Sequence, residues 1–374
     1  MTKLAWQSIN QAKWGMAMSK NMEKTLMARL AAAGPTGDVH LSLDEVEALA
    51  HLELTASGAS DLQAAPVAQS IRAAEADGYQ TIGLGYLPIY CSHLRCGKVD
   101  GKAEPRLLAD GSALSAVVRV DAGLGFPHAA FAIFKGDLVE RARALGVASM
   151  AISRSYSAGV LGWFVEQLAE AGLIGIGFAN ASSSVAPWGA TKPFFGTNPM
   201  ALAVPREGKA MVLIDQASSQ VARVSIMQRA AKGEAIPSDW GFDHAGNPTT
   251  DPKAVLEGGS LAPFGGYKGY GIALMVDILA AGLTGANWSF QASSFGNDLG
   301  GPPNVGQMFL ALDPAKFSAG SNFPQHLETM LSALEAEPGA RLPGSRRAAA
   351  QAKARADGVT VSAALLQQNL DLTR

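Results

Sequence analysis

Apolar positions at helical spacing, each set opened by a capping residue, mark the first part of the chain. An S-x-x-E capping box, Ser42 with Glu45, stands directly before an apolar stripe and predicts a helix that starts at Ser42. A second box begins at Ser60 and opens a longer helix, which Gly78 closes as a left-handed cap. Pro88 fits the first turn of a third, shorter helix. The pattern therefore predicts three consecutive helices.

Short β-rich runs alternate with helical patterns through the rest of the chain. Alternating or continuous apolar runs predict strands at residues 116–120, 148–153, 173–179, 200–204, 211–214 and 308–312. Periodicity near that of a helix predicts helices at residues 138–145, 161–171, 271–283 and 327–334. Residues 232–268 are rich in turn-forming residues and predict one long loop. The alternation is typical of a mixed α/β protein.

Composition narrows the class of partner. The 374 residues are 48% hydrophobic and carry a formal net charge of −2, so no overall positive field attracts nucleic acid or an anionic membrane. The apolar runs are too short or too interrupted to span a bilayer. The two cysteines, Cys91 and Cys96, lack clustered histidines, and no metal site is predicted. We expect a small-molecule partner and a reducing, cytoplasmic location.

The first segment, residues 1–38, differs from the rest because it holds five basic residues against two acidic ones. It has no continuous apolar stretch of the kind that a secretory signal needs. We expect an extension that packs weakly and is weakly ordered. The alternative is a basic helix for targeting or for a partner.

Glycine-rich and polar segments at strand ends are candidates for ligand binding. In P-F-G-G-Y-K-G-Y-G at residues 263–271 the backbone can approach a ligand, and Lys268 offers a cation. G-T-N-P at 196–199 and the strand end at Asp215 add polar groups where α/β folds often bind ligands. No G-x-G-x-x-G follows a strand and opens a helix, and the P-loop, H-E-x-x-H and G-x-S-x-G motifs are absent. Rossmann dehydrogenases, kinases, zinc proteases and hydrolases are therefore disfavoured.

Six separated strings resemble, in their order and spacing, the lactate/malate dehydrogenase type 2 family. They are V-A-P-W-G at 185–189, G-T-N-P-M-A at 196–201, T-T-D-P at 249–252, F-G-G-Y-K-G at 264–269, L-T-G-A at 283–286 and R-L-P-G at 341–344. The resemblance covers roughly residues 40 to 350. This family includes ureidoglycolate, sulfolactate and diketogulonate-type dehydrogenases and the reductases of piperideine- and pyrroline-2-carboxylate.

The resemblance implies a non-Rossmann NAD(P)-binding α/β fold, with a mixed, largely antiparallel sheet and a helical domain from both chain ends, assembled as a homodimer. It divides the chain into the extension at 1–38, a helical dimerisation domain at 39–115 and 300–374, and a cofactor domain at 116–299. The cofactor would be NADPH or NADH. The implied cofactor contacts are Ser153, Arg154, Ser155, Asp215, Gln216, Ala217, Lys268, Arg341, Gly344 and Arg346.

The sequence departs from this family at the groups that move a proton. Members usually carry S-H-G followed three residues later by Arg, with the histidine as acid or base and the arginine as a fork for the substrate carboxylate. The downstream L-P-x-Y and C-G-K-V-D-G strings align Thr81, Ile82 and Tyr86 with that serine, histidine and arginine. Isoleucine cannot exchange a proton, so the usual catalytic histidine is missing.

Two further positions that handle protons in the family are also neutral here. Ser157 stands where other members have the histidine of S-x-H-F-G, and Ser225 stands where the imine reductases have an aspartate. We expect Tyr86, Tyr156 or an ordered water to supply the proton instead. Thr81 and Ser225 complete the catalytic candidates.

The expected activity is NAD(P)H-dependent hydride transfer to or from a small 2-oxo or 2-hydroxy acid, or a cyclic 2-imino carboxylate. Thr197 and Arg223 are the expected substrate contacts. His93, the histidine nearest in sequence to Ile82, is a further candidate for substrate binding. The alternative is that His93 has a packing role. Arg154 favours NADPH. The alternative is a cofactor-binding homologue that has lost turnover and has a non-enzymatic role.

Overall fold

Helices dominate the first part of the computed structural model, which describes residues 16–108, 115–318 and 322–373. The elements are α1 Met16–Ala33, β1 Asp38–Leu41, α2 Leu43–Ala56, α3 Asp61–Ala76 and α4 Leu87–Arg95. The first capping box is confirmed, because Ser42 and Glu45 make both of its bonds at the start of α2. Ser60 occupies the N-cap of α3 but makes no side-chain capping bond, so the second predicted box is wrong.

The two ends of the chain share one hydrophobic core. β11 Val359–Ser362 pairs antiparallel with β1, and α13 Ala363–Leu370 follows it. Leu26 of α1 and Leu366 of α13 are both fully buried in the same cluster. This confirms a helical domain built from both chain ends. The burial of Leu26 also shows that its part of the N-terminal segment packs closely, against the expectation of weak packing, whereas residues 1–15 lie outside the described residues.

A seven-stranded sheet forms the other layer of the fold. Its strands are β2 Arg106–Leu107, β3 Val117–Asp121, β4 Val147–Ser155, β5 Ile174–Ala179, β6 Met200–Val204, β7 Val212–Gln216 and β10 Val305–Leu312. They lie in the order β2-β3-β4-β10-β5-β6-β7, and every neighbouring pair is antiparallel except β3 with β4. The predicted mixed, largely antiparallel sheet is confirmed, and all six predicted strands are present with slightly shifted ends.

Strand β10 connects the C-terminal third of the chain to the centre of this sheet. Phe309 of β10 pairs with Met150 of β4 on one side and with Gly177 of β5 on the other. Its side chain is fully buried. Hydrogen bonds along both edges therefore place β10 in the sheet, and the assignment of all residues 300–374 to the helical domain is wrong for this strand.

Helices cover the sheet and extend the helical domain. They are α5 Pro127–Leu145, α6 Gly162–Glu170, α7 Arg223–Lys232, α9 Tyr267–Asp277 with a π-helical turn at Ile278–Gly282, α10 Pro314–Phe317, α11 Phe323–Ala336 and α12 Ser345–Asp357. A 3₁₀ turn, Asp371–Thr373, follows α13. Helix α5 begins well before the predicted residue 138 because its first turns, including His128, Ala130 and Phe131, are buried. A helix end without a polar face gives no periodic signal.

The predicted long loop at residues 232–268 contains small regular elements instead. β8 Gly241–Phe242 and β9 Ser260–Leu261 form a hairpin-like pair, and α8 Pro252–Leu256 lies between them with Asp251 as its N-cap. Val255 and Leu261 are buried in a local core. Elements of two to five residues are too short to show periodicity, which explains why the sequence did not reveal them.

The described residues also answer two questions about membranes and metals. No helix among them is long and apolar enough to cross a membrane. No group of three or more His, Cys, Asp or Glu side chains in the described ranges could hold a metal ion. Cys91 and Cys96 are both free thiols.

Candidate active site

A cavity of about 180 Å³ lies between the helical domain and the sheet. Tyr86 and Ile89, at the start of α4, form one wall, and Arg223, the first residue of α7, lies in another. Loops after β4, β5 and β7 and the loop before β10 complete it. The other lining residues are Ile82, Ser157, Gly159, Ala181, Ser182, Ser183, Ser184, Thr197, Ala217, Ala222, Val224, Met227, Ser294, Phe295 and Gly296.

Arg223 brings a positive charge to this cavity. Its side chain is partly buried, and this burial lowers its pKa, although the neighbouring Tyr86 opposes the effect. Among the described residues the guanidinium forms no ion pair. An arginine remains charged throughout the physiological pH range, and a shielded charge without a partner is costly. The cavity is therefore suited to a ligand with an anionic group such as a carboxylate, which a guanidinium holds with two hydrogen bonds.

Tyr86 contributes a phenol group to the cavity. Burial raises its pKa to about 12, although the charge of Arg223 acts in the opposite direction. Its ring is held edge-on against Tyr90, with the ring centroids 4.9 Å apart. The hydroxyl therefore stays protonated at neutral pH and can donate a hydrogen bond to a ligand. It is poorly suited to act as a base, because a base works best when its pKa lies near the working pH.

Two of the three positions that the resemblance aligns with proton-handling residues lie at this cavity. Ile82 and Ser157 both line it, together with the predicted substrate contact Thr197. Ser225 does not line it and lies in the first turn of α7, where its amide donates to the carbonyl of Ala222 at 3.0 Å. Thr81 is likewise outside the lining. Among the described residues that line the cavity there is no carboxylate, imidazole, amine or thiol.

His93 and Tyr156 bond to each other behind the cavity wall. Both side chains are buried, and the Tyr156 hydroxyl donates to Nδ1 of His93. Nε2 of His93 lies 3.1 Å from the carbonyl oxygen of Asn297, which assigns the ring proton to Nε2. Burial and the charge of Lys98 lower the pKa of His93, so the ring is neutral. The rings of Tyr156 and Phe295 pack with their centroids 5.3 Å apart. Phe295 lines the cavity, whereas His93 and Tyr156 do not.

A second cavity, the arginine cleft, lies at the end of β7 and has a volume of about 560 Å³. It is lined by Asp215 and Gln216, by Tyr79 and by residues 341–347. The backbone holds this last segment in place, because the Leu213 amide donates to the carbonyl of Pro343 at 3.3 Å. Gly344, at φ 88°, provides the left-handed N-cap of α12. The structure thus brings together five predicted cofactor contacts, namely Asp215, Gln216, Arg341, Gly344 and Arg346.

The arginines of the cleft have different environments. Arg347 is buried, and its Nε lies 2.6 Å from Oδ2 of Asp77, with Glu166 and Asp215 at 3.4 and 3.9 Å. Arg341 and Arg346 are exposed in the cleft. Ser345 and Arg346, the first residues of α12, line the same cleft, and a helix N-terminus attracts anions. The cleft can therefore bind phosphate groups through Arg341 and Arg346.

One oxygen of the Asp215 carboxylate is bonded within the protein. Its Oδ2 accepts a hydrogen bond from the Gly162 amide at 2.7 Å, at the start of α6, and faces Arg347. The next two residues connect the two cavities, since Gln216 lines the arginine cleft and Ala217 lines the smaller cavity. A ligand with two ends could occupy both.

The remaining predicted cofactor contacts lie outside both linings. Ser155 is buried and its hydroxyl lies 2.6 Å from Oε1 of Gln307. The Ser153 hydroxyl donates to the carbonyl of Val120 at 3.4 Å. Arg154, in a left-handed backbone conformation, pairs with Asp121, and Lys268 is exposed in the first turn of α9.

Sequence reasoning missed several lining residues. Ser182, Ser183 and Ser184 lie in the loop after β5, and a serine run shortly after a buried strand is a signal that could have indicated them. Residues 294–296 belong to an irregular loop without a motif, so nothing in the sequence marked them. Arg347 was overlooked although it adjoins Arg346.

Comparisons with known proteins identify relatives that span most of the chain. The (2R)-3-sulfolactate dehydrogenase (NADP(+)) of Chromohalobacter salexigens is 44% identical over 309 residues, which span 82% of this chain and 90% of the relative. A Δ1-pyrroline-2-carboxylate/Δ1-piperideine-2-carboxylate reductase of Pseudomonas syringae pv. tomato is 38% identical over 84% of this chain and 91% of the relative.

Solved structures have the same fold. The crystal structure of Δ1-piperideine-2-carboxylate reductase from Pseudomonas syringae superposes with a TM-score of 0.84 at 36% identity, over 89% of this chain and 99% of that one. The sulfolactate dehydrogenase from Methanocaldococcus jannaschii superposes with a TM-score of 0.80 at 26% identity, over 89% and 96% of the two chains. The family model for malate/L-lactate dehydrogenase matches residues 41–369. The chain belongs to the malate/L-lactate dehydrogenase family.

Proposed function

We propose that this protein is an NADPH-dependent reductase of a small cyclic 2-imino carboxylate. One observation carries the choice of substrate class: the cavity offers a guanidinium at Arg223 and no carboxylate, imidazole, amine or thiol among its described lining residues. The relatives include both sulfolactate dehydrogenase and imine reductases, so the family alone leaves the class open. The chemistry of the cavity favours the imine.

The arginine cleft supports binding of the cofactor. A nicotinamide dinucleotide has a phosphate-rich end and a reactive end, and the two cavities meet at Gln216 and Ala217. Arg341 and Arg346 would hold phosphate groups, and their exposure leaves two positive charges for the additional phosphate of NADPH. Asp215 is the nearby acid that could hold a ribose hydroxyl of NADH, and its Oδ2 is already bonded to the Gly162 amide. NADPH is therefore the favoured cofactor.

When bound, reduced NADPH would supply a hydride to the substrate carbon. Arg223 would hold the carboxylate of the substrate, and Thr197 lies on the same cavity. Tyr86 would donate a hydrogen bond, and the apolar side chains of Ile82 and Phe295 would exclude water around the reacting carbon. A cyclic imine can arrive protonated on nitrogen. The product amine then forms without a proton from the protein.

Oxidation of a 2-hydroxy acid makes a demand that this cavity does not meet. The hydroxyl proton must leave as the hydride leaves, and this step needs a base whose pKa lies near the working pH. With a pKa of about 12, Tyr86 is almost never deprotonated near neutral pH. Sulfolactate, in addition, carries two anionic groups, whereas Arg223 is one cation. A cyclic imine is therefore favoured over sulfolactate as the substrate.

A binding and turnover assay tests the proposal. Titration of the protein with NADPH, followed by fluorescence, measures cofactor binding independently of any substrate. A panel of Δ1-piperideine-2-carboxylate, Δ1-pyrroline-2-carboxylate, pyruvate and 3-sulfopyruvate is then followed by loss of the NADPH absorbance at fixed pH. We expect binding and turnover of the cyclic imines. Turnover of the oxo acids alone would reject the imine proposal, and binding without any turnover would favour the non-catalytic homologue.

A second copy of the chain is the partner that we propose for an exposed apolar face on α9. Tyr267, Leu274, Met275 and Ile278 lie along one side of this helix and its π-helical turn, and all four are exposed. Light scattering coupled to size exclusion should give the mass of a homodimer, and Met275→Glu should shift it to the monomer. A monomeric wild-type protein would contradict this. The cytoplasmic location stays a prediction from the two free cysteines.

A further inference from the structure

One wall of the cavity is a loop that side chains alone hold in place. Residues 294–299, here called the wall loop, contribute Ser294, Phe295 and Gly296 to the cavity. In the described part of the chain, none of the six residues takes part in a hydrogen bond between two backbone groups. The position of the loop therefore depends on the side chains that reach it from other elements.

Lys98 makes the largest set of these contacts. It follows α4 in the chain, and its side chain is completely buried. Its Nζ donates to the carbonyl oxygens of Ser294, Asn297 and Leu299 at 2.5, 2.8 and 2.7 Å. An ammonium group has three hydrogens to donate and no acceptor. All three are used on one loop, so the buried charge is satisfied by the wall loop itself.

Helix α4 adds two further contacts to the same loop. Nε2 of His93 bonds to the carbonyl of Asn297, and the Ser92 hydroxyl lies 2.9 Å from the Asp298 carboxylate. The start of this helix carries Tyr86 and Ile89, which also line the cavity. One helix and the lysine after it thus fix the distance between two walls of the substrate cavity.

We propose that Lys98 is a positioning residue, which sets substrate affinity by fixing the wall loop around the cavity, and this rests on the function proposed above. A lysine that only filled space in the core would gain nothing from its charge, and its ammonium would be costly to bury. The geometry of three carbonyl acceptors on a single loop is the observation that distinguishes the two roles. Lys98 is not among the residues that line the cavity.

The test combines amide exchange with kinetics on the full-length protein. In Lys98→Met, deuterium exchange of peptides that cover residues 294–299 should become faster. The KM for the cyclic imine should rise about tenfold, with kcat changed less than about threefold, because a loss near the strength of one charge-assisted bond falls on substrate binding. The affinity for NADPH, measured by fluorescence, should not change. Lys102→Met, at an exposed lysine four residues away, is the matched control.

A second variant keeps the test decisive if Lys98→Met does not fold. Asp298→Ala removes the loop's contact with Ser92 from an exposed position, and it should change exchange and KM in the same direction by a smaller factor. Unchanged exchange of the wall loop in whichever variant folds would overturn the proposal, as would a fall in NADPH affinity equal to the rise in KM. The exchange measurement needs no turnover. Faster exchange in a protein that reduces no imine would therefore reject the proposed function. It would still support the role of Lys98 in holding the wall loop.

Discussion

The arginine cleft and the smaller cavity meet at Gln216 and Ala217, yet the side chains that line them differ in chemistry. The cleft has exposed arginines, a helix N-terminus and a buried ion-pair network around Arg347. The cavity has hydroxyl groups, apolar side chains and the one guanidinium of Arg223 among its described lining residues. We expect the cleft to hold the cofactor, whereas no carboxylate or imidazole is found among the described residues that line the cavity.

This difference indicates which part of the reaction the protein would supply and which part the substrate would supply. A charged cleft can bind and orient a phosphate-bearing cofactor without any acid in the neighbouring cavity. A cavity without a titrating group near neutrality can still catalyse hydride transfer through proximity and exclusion of water, provided that the substrate brings its own proton. Variants in the cleft and in the cavity test whether the two regions have these separate roles.

The largest effect should come from Arg223→Met. This change removes the cation that we expect to hold the substrate carboxylate, and kcat/KM for the cyclic imine should fall by about 100-fold, mainly through KM. NADPH affinity should stay the same. Arg229→Met lies on the same helix, where Arg229 pairs with Glu234 at 2.9 Å, and serves as the control. Equal losses in the two variants would remove Arg223 from the site.

Ile82→His should give the next largest effect, on a different substrate. It restores an imidazole to the cavity wall, and reduction of a 2-oxo acid should rise by at least about tenfold, since a placed acid contributes that much or more. The gain should decline as the pH rises through the ordinary range of histidine, near about 6.5, because the protonated ring is the donor. Ile82→Leu controls for shape. A histidine variant that gains nothing would contradict the assignment of this wall to the reacting centre.

Arg346→Ala tests the cleft and should act on the cofactor alone. Loss of one phosphate-binding cation should raise the KM for NADPH by about tenfold and change that for NADH by much less. The KM for the imine should not move. Lys353→Ala, an exposed lysine on the same helix α12, is the control. A parallel rise for both cofactors would indicate that Arg346 binds a phosphate that they share.

The smallest effect should come from Tyr86→Phe. If the substrate carries its own proton, loss of this hydroxyl should lower kcat for the imine by no more than about fivefold, the value of one neutral hydrogen bond. With a pKa of about 12 the residue cannot produce an ionisation near neutrality, so the pH profile of the variant should keep the shape of the wild type. A loss of 1000-fold or so would identify Tyr86 as the proton donor instead.

Much of the fold could be predicted because it rests on local signals. The capping box of Ser42 and the β-rich runs gave elements that the structure confirms. The central place of β10 could not be read from its sequence, since a buried strand looks the same at any position in a sheet. The early start of α5 and the small elements near Val255 were missed because full burial or shortness removes periodicity.

The candidate site was predictable in part, for a related reason. Motifs led to Ile82, Tyr86 and Thr197 at the cavity and to Arg341 and Arg346 at the cleft. Tyr156 and His93 seemed suitable by residue type, but only the three-dimensional packing shows that they bond to each other behind Phe295. Irregular loops that are held by distant side chains leave no pattern in the sequence.

The most direct test of the central claim is the ratio of two kcat/KM values for the wild-type protein with NADPH. One is measured with Δ1-piperideine-2-carboxylate and the other with a straight-chain 2-oxo acid of similar size, at the same pH. A cavity without a carboxylic acid or an imidazole should favour the imine by at least about 100-fold, the lower range of what a placed acid contributes. A ratio near one, or a preference for the oxo acid, would mean that the protein supplies a proton after all and would contradict this account.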